Sequence, residues 1–161
     1  NIYGLESLID LNLRKIFGLN SSYIFNTFLN LSVIDSKYVS SDEPGVEGKE
    51  VEFVPKYNIK YGIKFGYKNY TSYLQYSYLS SQFSDSSNSI ESNLSGVIGQ
   101  IPAYGILDLS MNYKFGKIKL ETGINNILNN FYFTRRATGY PGPGIIPSPP
   151  RNYYLTLQYK F

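Results

Sequence analysis

The residues with the clearest capacity for chemistry lie late in the chain, in the stretch TRRATGYPGPGIIPSPPR from Thr134 to Arg151. Arg135, Arg136 and Arg151 carry planar guanidinium forks, which match carboxylates and other anionic oxygens two at a time. Tyr140 adds a hydroxyl among them. Proline restricts backbone angles and glycine permits tight turns, so the stretch reads as a shaped loop that presents these groups. The chemistry on offer is recognition of an anion. Catalysis has no comparable constellation. The chain has no His and no Cys, which excludes His/Cys zinc sites, thiol nucleophiles and Ser-His triads. Asp85 and Glu91, in SSQFSDSSNSIES, read as members of a solvated polar loop rather than as a carboxylate pair. No enzyme, no intrinsic cofactor and no metal site are expected.

Whatever holds that loop must be built from an unusual composition. Tyr occurs 17 times and Phe 10 times in 161 residues. Tyrosine suits a surface that is apolar in its body and wet at its tip, as at a bilayer interface. The net charge of +3, from 15 basic and 12 acidic residues, comes without any Lys/Arg run, so nucleic acid is not an expected partner. No apolar run approaches the roughly 18 residues of a membrane helix.

Period-2 alternation is the dominant pattern, and it marks strands with one apolar and one polar face. It recurs in seven segments. The first runs from about Leu5 to Leu13, and the second, Tyr23 to Val33, sets Phe25, Leu29 and Leu31 against Asn26, Asn30 and Ser32. The third, Tyr57 to Tyr67, is the cleanest, with Tyr57, Ile59, Tyr61, Ile63, Phe65 and Tyr67 on one face and Asn58, Lys60 and Lys64 on the other. The fourth covers about Tyr70 to Ser80 and the fifth Gly105 to Phe115. The sixth starts at Ile118 and loses phase near Asn125 and Asn126, where a bulge is expected. The seventh, NYYLTLQYKF, places Tyr153, Leu155, Leu157, Tyr159 and Phe161 on one face.

The links between these strands alternate in length. Short ones are expected around Phe17 to Asn20, at Lys68 and Asn69, and at Gly116 and Lys117; long ones span about 35–50, 81–102 and 134–151. Short turns on one rim and long loops on the other match outer-membrane barrels, in which the long loops face outside. A soluble antiparallel sandwich would alternate as well. Strands near ten residues exceed its usual length and suit a tilted bilayer crossing. On the barrel reading Glu6, Asp10, Asp108 and Glu121 face the lumen, where they would pair across strands with Lys60, Lys64, Lys114 and Lys119. Single-chain barrels close with an even strand count. Seven strands therefore point to the C-terminal part of a larger barrel, and the absence of an export signal points to an upstream part.

Four segments carry a family resemblance. IYGLESLIDLNL resembles the "GLE" opening of strands in TonB-dependent outer-membrane receptors, and GINNILNNFYFTRRATGYPGPGIIPSPPRNYYLTLQYKF resembles the end of those receptors. VEFVPKYNIKYGIKFGY and SSQFSDSSNSIES with GQIPAYGILDLSMNY resemble the ferric dicitrate receptor branch in particular. The resemblance implies an all-β fold, an antiparallel transmembrane β-barrel segment of about seven strands. It would be the C-terminal part of a 22-stranded barrel, a size typical at roughly 22 strands for plugged transporters. Residues 1–161 would then be barrel only, with the plug and earlier strands lying outside this sequence.

The implied function is TonB-dependent uptake of a ferric chelate across the bacterial outer membrane, with this chain as wall and extracellular loops. The ferric chelate, such as a siderophore or iron–citrate complex, is the transported ligand. A receptor for an oligosaccharide or peptide is an alternative, as is a structural barrel surface without transport. Implied partners are outer-membrane lipids, the barrel-assembly machinery and the TonB complex, reached through the N-terminal part; a surface lipoprotein is a further candidate. On this reading Arg135, Arg136, Tyr140 and Arg151 are candidate ligand-binding residues near the outer mouth. The alternative use is that Arg151 anchors the loop to the wall while Arg135 and Arg136 meet lipopolysaccharide or solvent. Tyr153, Leu155, Leu157, Tyr159 and Phe161 resemble the barrel-assembly signal.

Overall fold

Alternation of side chains decides the sheet, because most apolar residues of one strand fall opposite apolar residues of the next. The computed structural model describes residues 1–139 and 142–161. Its main strands are β1 (Ile2–Leu11), β2 (Tyr23–Ser36), β3 (Tyr57–Tyr67) and β4 (Tyr70–Leu79). After the short strands β5 (Gln82–Phe83) and β6 (Gln100–Ile101) come β7 (Tyr104–Phe115) and β8 (Ile118–Asn125). The chain then forms β9 (Phe133–Ala137) and β10 (Gly144–Pro147) before the last strand, β11 (Asn152–Tyr159). Seven of these form one antiparallel sheet in the order β1-β2-β3-β4-β7-β8-β11, open at its two edges. β5 pairs with β6, and β9 with β10, as separate two-stranded ribbons.

Register makes the apolar face continuous. One row runs Ile9, Leu29, Tyr61, Tyr76 and Leu107 across five strands. Another runs Tyr67, Tyr70, Tyr113, Leu120 and Leu157 to the far edge. The opposite face carries Lys60, Lys64, Gln75, Asp108 and Glu121. It also carries Phe28 and Tyr73, whose rings stack at 6.0 Å over Gly62. A Cβ at Gly62 would collide with the Phe28 ring, so the glycine is what lets an aromatic lie flat on the sheet.

No second sheet packs on the apolar face among the described residues. Leu155 and Leu157 are 71% and 69% exposed, and among the described residues the only buried apolar side chains are Val46 and Ile101, both in the long loops. A soluble sandwich buries this face against a partner sheet; this fold leaves it uncovered from edge to edge. The sandwich alternative is therefore discarded.

The structure corrects four expectations. The first strand stops at Leu11, and residues around Leu13 instead form a single-turn helix, α1 (Leu13–Ile16), whose first turn is capped by the Asn12 side chain accepting from the Lys15 N–H at 3.0 Å. The short link between β1 and β2 is thus helical. The long loops contain the two short hairpins, which lack enough alternation to be read from sequence. The expected cross-strand ion pairs are absent among the described residues. Their one ion pair joins Lys119 to Glu121 along the same strand, because the register sets Lys60 opposite Asn30 and Ser77, and Lys114 opposite Lys119.

The fourth correction concerns Asn126. Instead of a bulge, β8 ends there in a left-handed backbone, with φ of 53° at Asn126 and 54° at Asn129. Asparagine tolerates that conformation better than other side-chain-bearing residues. Asn126 is 2% exposed and its amide is fully engaged: Nδ2 donates to the Asn130 carbonyl at 2.9 Å and Oδ1 accepts from the Asn130 N–H at 3.0 Å. Its backbone N–H donates to Asp108 on β7 at 2.8 Å. The turn is thereby tied to the neighbouring strand.

Asn126→Ala should destabilise the folded protein by about 2–4 kcal/mol, from two lost hydrogen bonds and a side chain forced left-handed. Asn126→Gly keeps the backbone conformation and should lose about 1–2 kcal/mol less. Denaturant midpoints in detergent micelles measure both; a glycine variant no better than alanine would show that backbone conformation is immaterial there.

Candidate functional site

The long loops, residues 37–56, 80–103 and 126–151, gather at one end of the sheet and are joined by polar contacts rather than by an apolar core. The first meets the second through Asn88. Its Oδ1 accepts from the Glu50 N–H at 2.7 Å and its Nδ2 donates to the Glu50 carbonyl at 2.9 Å. The Phe53 N–H donates to the Phe83 carbonyl at 2.9 Å nearby. Within the first loop, the Tyr38 hydroxyl donates to Glu52 at 2.7 Å. That hydrogen bond, with weaker help from desolvation and carboxylate charge, raises the Tyr38 pKa. The contact therefore adds stability below the ordinary tyrosine value of about 10 and loses it as pH rises through the raised value.

The second loop meets the third through Arg136. This residue sits on β9 and is 8% exposed. Its Nη1 donates to the Gly96 carbonyl and its Nη2 to the Gln100 carbonyl, both at 2.8 Å. Its guanidinium lies 5.2 Å from the Phe133 ring centre, a cation–π distance. Burial lowers its pKa, and the charge of Asp85 acts in the opposite sense. It remains a cation at any ordinary pH. Two glycines make the approach possible. Gly144, at φ +119°, would with a Cβ press on the Ser95 carbonyl at 3.0 Å, and a Cβ on Gly96, at φ +71°, would lie 3.2 Å from the Gly144 Cα.

The predicted site residues are thus separated in role. Arg135, next along β9, is exposed, and alternation turns it away from the side that Arg136 occupies. Arg151 is exposed at the foot of the loop, and its backbone N–H donates to Asn129 at 3.1 Å, tying the loop to the turn after β8. Tyr140 lies outside the described residues. Asp85 accepts from the Ser87 N–H at 2.9 Å and from its hydroxyl, as part of its own turn. Asn88, Gln100, Asn126 and Asn130 were not singled out as functional residues. The run NNILNN marks Asn126 and Asn130, since asparagine clusters favour left-handed turns; nothing local marks Asn88 or Gln100. The third loop also rests on the wall: Asn130 Nδ2 donates to the Gly105 carbonyl at 2.7 Å, and the Tyr104 and Tyr132 rings sit 4.7 Å apart. Chemically, the arrangement is a cross-linked polar cap with a single exposed arginine on its last hairpin.

Arg136→Ala removes two charge-assisted hydrogen bonds worth about 1.5–3 kcal/mol each. Limited proteolysis in the second and third loops should accelerate at least about tenfold, since a tenfold change in the open population needs only about 1.4 kcal/mol. Arg135→Ala should leave the digestion rate unchanged.

A family model described as TonB dependent receptor-like, beta-barrel matches residues 1–127. Among solved structures, the ferric citrate transporter FecA in its unliganded form superposes with a TM-score of 0.87 at 24% identity, covering 99% of this chain and 24% of that one. The ferric yersiniabactin uptake receptor FyuA from Yersinia pestis gives a TM-score of 0.76 at 16% identity, over 99% of this chain and 23% of that one. A mutant of the ferric enterobactin receptor from Pseudomonas aeruginosa gives 0.66 at 18% identity, over 99% and 22%. At these identities the likeness is one of fold. The chain spans about a quarter of the length of each of these structures.

Proposed function

The chain belongs to the TonB-dependent receptor β-barrel family, and on that premise we propose that it is the C-terminal wall and outer loops of an outer-membrane receptor that takes up a ferric chelate. One observation carries the reading: an uncovered apolar face runs unbroken across seven strands whose long loops all gather at one end. That face meets the lipid of the outer membrane, the polar face lines the lumen, and the loop cap faces outside. Residues 1–161 are barrel throughout; the plug, the earlier strands and the segment that engages TonB belong to the rest of the receptor. The ferric chelate is cargo and is held by donors of the cap and plug, not by a resident metal site.

Arg135 and Arg151 are the exposed cations of the last loop, and Tyr140, between them in sequence, is the proposed hydroxyl donor to the same ligand. Their forks suit the carboxylate oxygens of an iron–citrate-like complex. Arg136 serves the same site by holding the hairpin that presents Arg135. The uptake cycle needs only that ligand bound here gains access to the lumen when energy is supplied from the inner membrane through TonB. The outward face of β11, with Tyr153, Leu155, Leu157 and Tyr159, continues to Phe161 and serves the assembly machinery before it serves the lipid.

Binding of ferric citrate to the whole receptor in detergent tests the ligand. Arg135→Ala should weaken it at least about tenfold, the worth of one charge-assisted hydrogen bond, with normal barrel assembly. Unchanged affinity for anionic chelates, together with binding of a neutral oligosaccharide, would move the receptor to the other ligand class. Deletion of Phe161 should lower the amount of heat-modifiable barrel in the membrane more than it lowers ligand affinity of the inserted fraction. Assembly at the normal level would remove the assembly role from β11.

A further inference from the structure

The polar face of the sheet carries cations set among neutral neighbours. On β3, Lys60 stands opposite Asn30 and Ser77, and Lys64 opposite Asn26 and Tyr73. Both lysines are exposed, and among the described residues neither has an ion-pair partner. The carboxylates of this face stand apart from them. Glu6 and Asp10 lie on β1 and Asp108 on β7, each two strands from β3, or about 10 Å at the usual strand spacing. On β4 the polar groups are spent on one another: the Tyr73 hydroxyl donates to Gln75 at 2.9 Å, and the Gln75 amide donates to Ser77 at 3.1 Å. β2, β3 and β4 each have a partner on both sides, so this stretch of wall is complete within the chain.

Lys60 and Lys64 are four residues apart, about 13 Å along the strand. Between them lies Gly62, over which the rings of Phe28 and Tyr73 stack with planes within 7° of parallel. The step from one lysine to the next is thus aromatic and uncharged. Register repeats it once more. Lys64, Tyr73 and Ser110 share one level, and Lys114 follows four residues after Ser110 on β7, nearer the short turns. Cations therefore recur at even intervals down this face, from the loop end toward the opposite rim. Resting on the uptake reading above, we propose that Lys60 and Lys64 are transit residues, which hand the anionic chelate down the lumen after it leaves the cap. Passage needs attraction strong enough to admit an ion and weak enough to release it. A single exposed lysine meets both conditions, because one close charge contact in water is worth a factor of only about five. An acidic segment of the plug would use the same charge but would seat at one level, whereas the lysines recur at three.

The test uses the whole receptor in cells, with radiolabelled ferric citrate as probe. Binding is read in de-energised cells and uptake in energised ones. Lys60→Gln with Lys64→Gln should leave binding unchanged and lower the uptake rate at least about fivefold, the worth of one charge contact. The double Lys→Arg variant should keep both. Uptake undiminished in the glutamine variant, or lowered as much in the arginine variant, overturns the proposal. Loss of binding in step with uptake would assign the lysines to the binding site and overturn transit. New sensitivity of the cells to vancomycin, which a seated plug excludes, would assign them to an acidic plug segment instead. The heat-dependent gel shift verifies assembly; should the double glutamine variant fail to shift, Lys60→Gln and Lys64→Gln are read singly by the same criteria. The wild type separates the two readings. If it takes up ferric citrate while the glutamine variant matches it, only the transit role falls; if it binds no ferric citrate, the chelate reading falls and the transit role with it.

Discussion

Pairing of the backbone is the constraint from which the rest of this structure follows. In hydrocarbon an unpaired N–H or C=O costs several kcal/mol, so a strand can cross only when both its neighbours complete its hydrogen bonds. Five of the seven main strands have a partner on each side, in ladders that run nearly their full length. The antiparallel order of consecutive strands allows tight turns at one end. Asn69 and Gly116 sit in links of two residues, and no chain is left over there to fold into anything else. Apart from the β1–β2 link, which folds into α1, the chain length not needed for crossing is delivered to the opposite end, and the loop cap is the consequence.

Once the sheet has exported its apolar residues to one uncovered face, it has no interior of the usual kind. The cap is stabilised differently. Its contacts are reciprocal amides, as between Asn88 and Glu50 and between Asn126 and Asn130, and a buried arginine fork on two carbonyls. Such bonds are directional, and at the buried Asn126 and Arg136 breaking one leaves a buried group unsatisfied. They therefore define loop positions more sharply than apolar contact would. Ile101, 1% exposed, is the small apolar centre about which the second and third loops close. A cap held this way keeps its shape while leaving Arg135 free at the surface.

The two rims differ in chemistry as well as in loop length. At the short-turn rim Lys114, Lys117 and Lys160 gather beside the Lys119–Glu121 pair, whereas at the loop end carboxylates such as Glu50, Glu52 and Asp85 lie among the hydrogen-bonded segments. A β-barrel segment with this polarity has two unlike ends, a polar, shaped cap and a basic rim with aromatic residues beside it.

Strand positions, their faces and the short-and-long order of the links were legible in the residues alone. The third strand was located to its ends, Tyr57–Tyr67, because period-2 alternation is local and survives without knowledge of any partner. The same holds for β11, apart from its last two residues, and for the open barrel-type sheet that these strands compose. The extra hairpins escaped because β5 and β6 contribute two residues each, too few for a period. Arg136 escaped for a different reason. Its neighbour Arg135 has the same type and the same local sequence, yet the partners that separate the two roles, Gly96 and Gln100, lie 40 and 36 residues away. Which arginine is held inside the cap and which stands outside it depends on how distant loops meet, and alternation along a single strand carries no information about that.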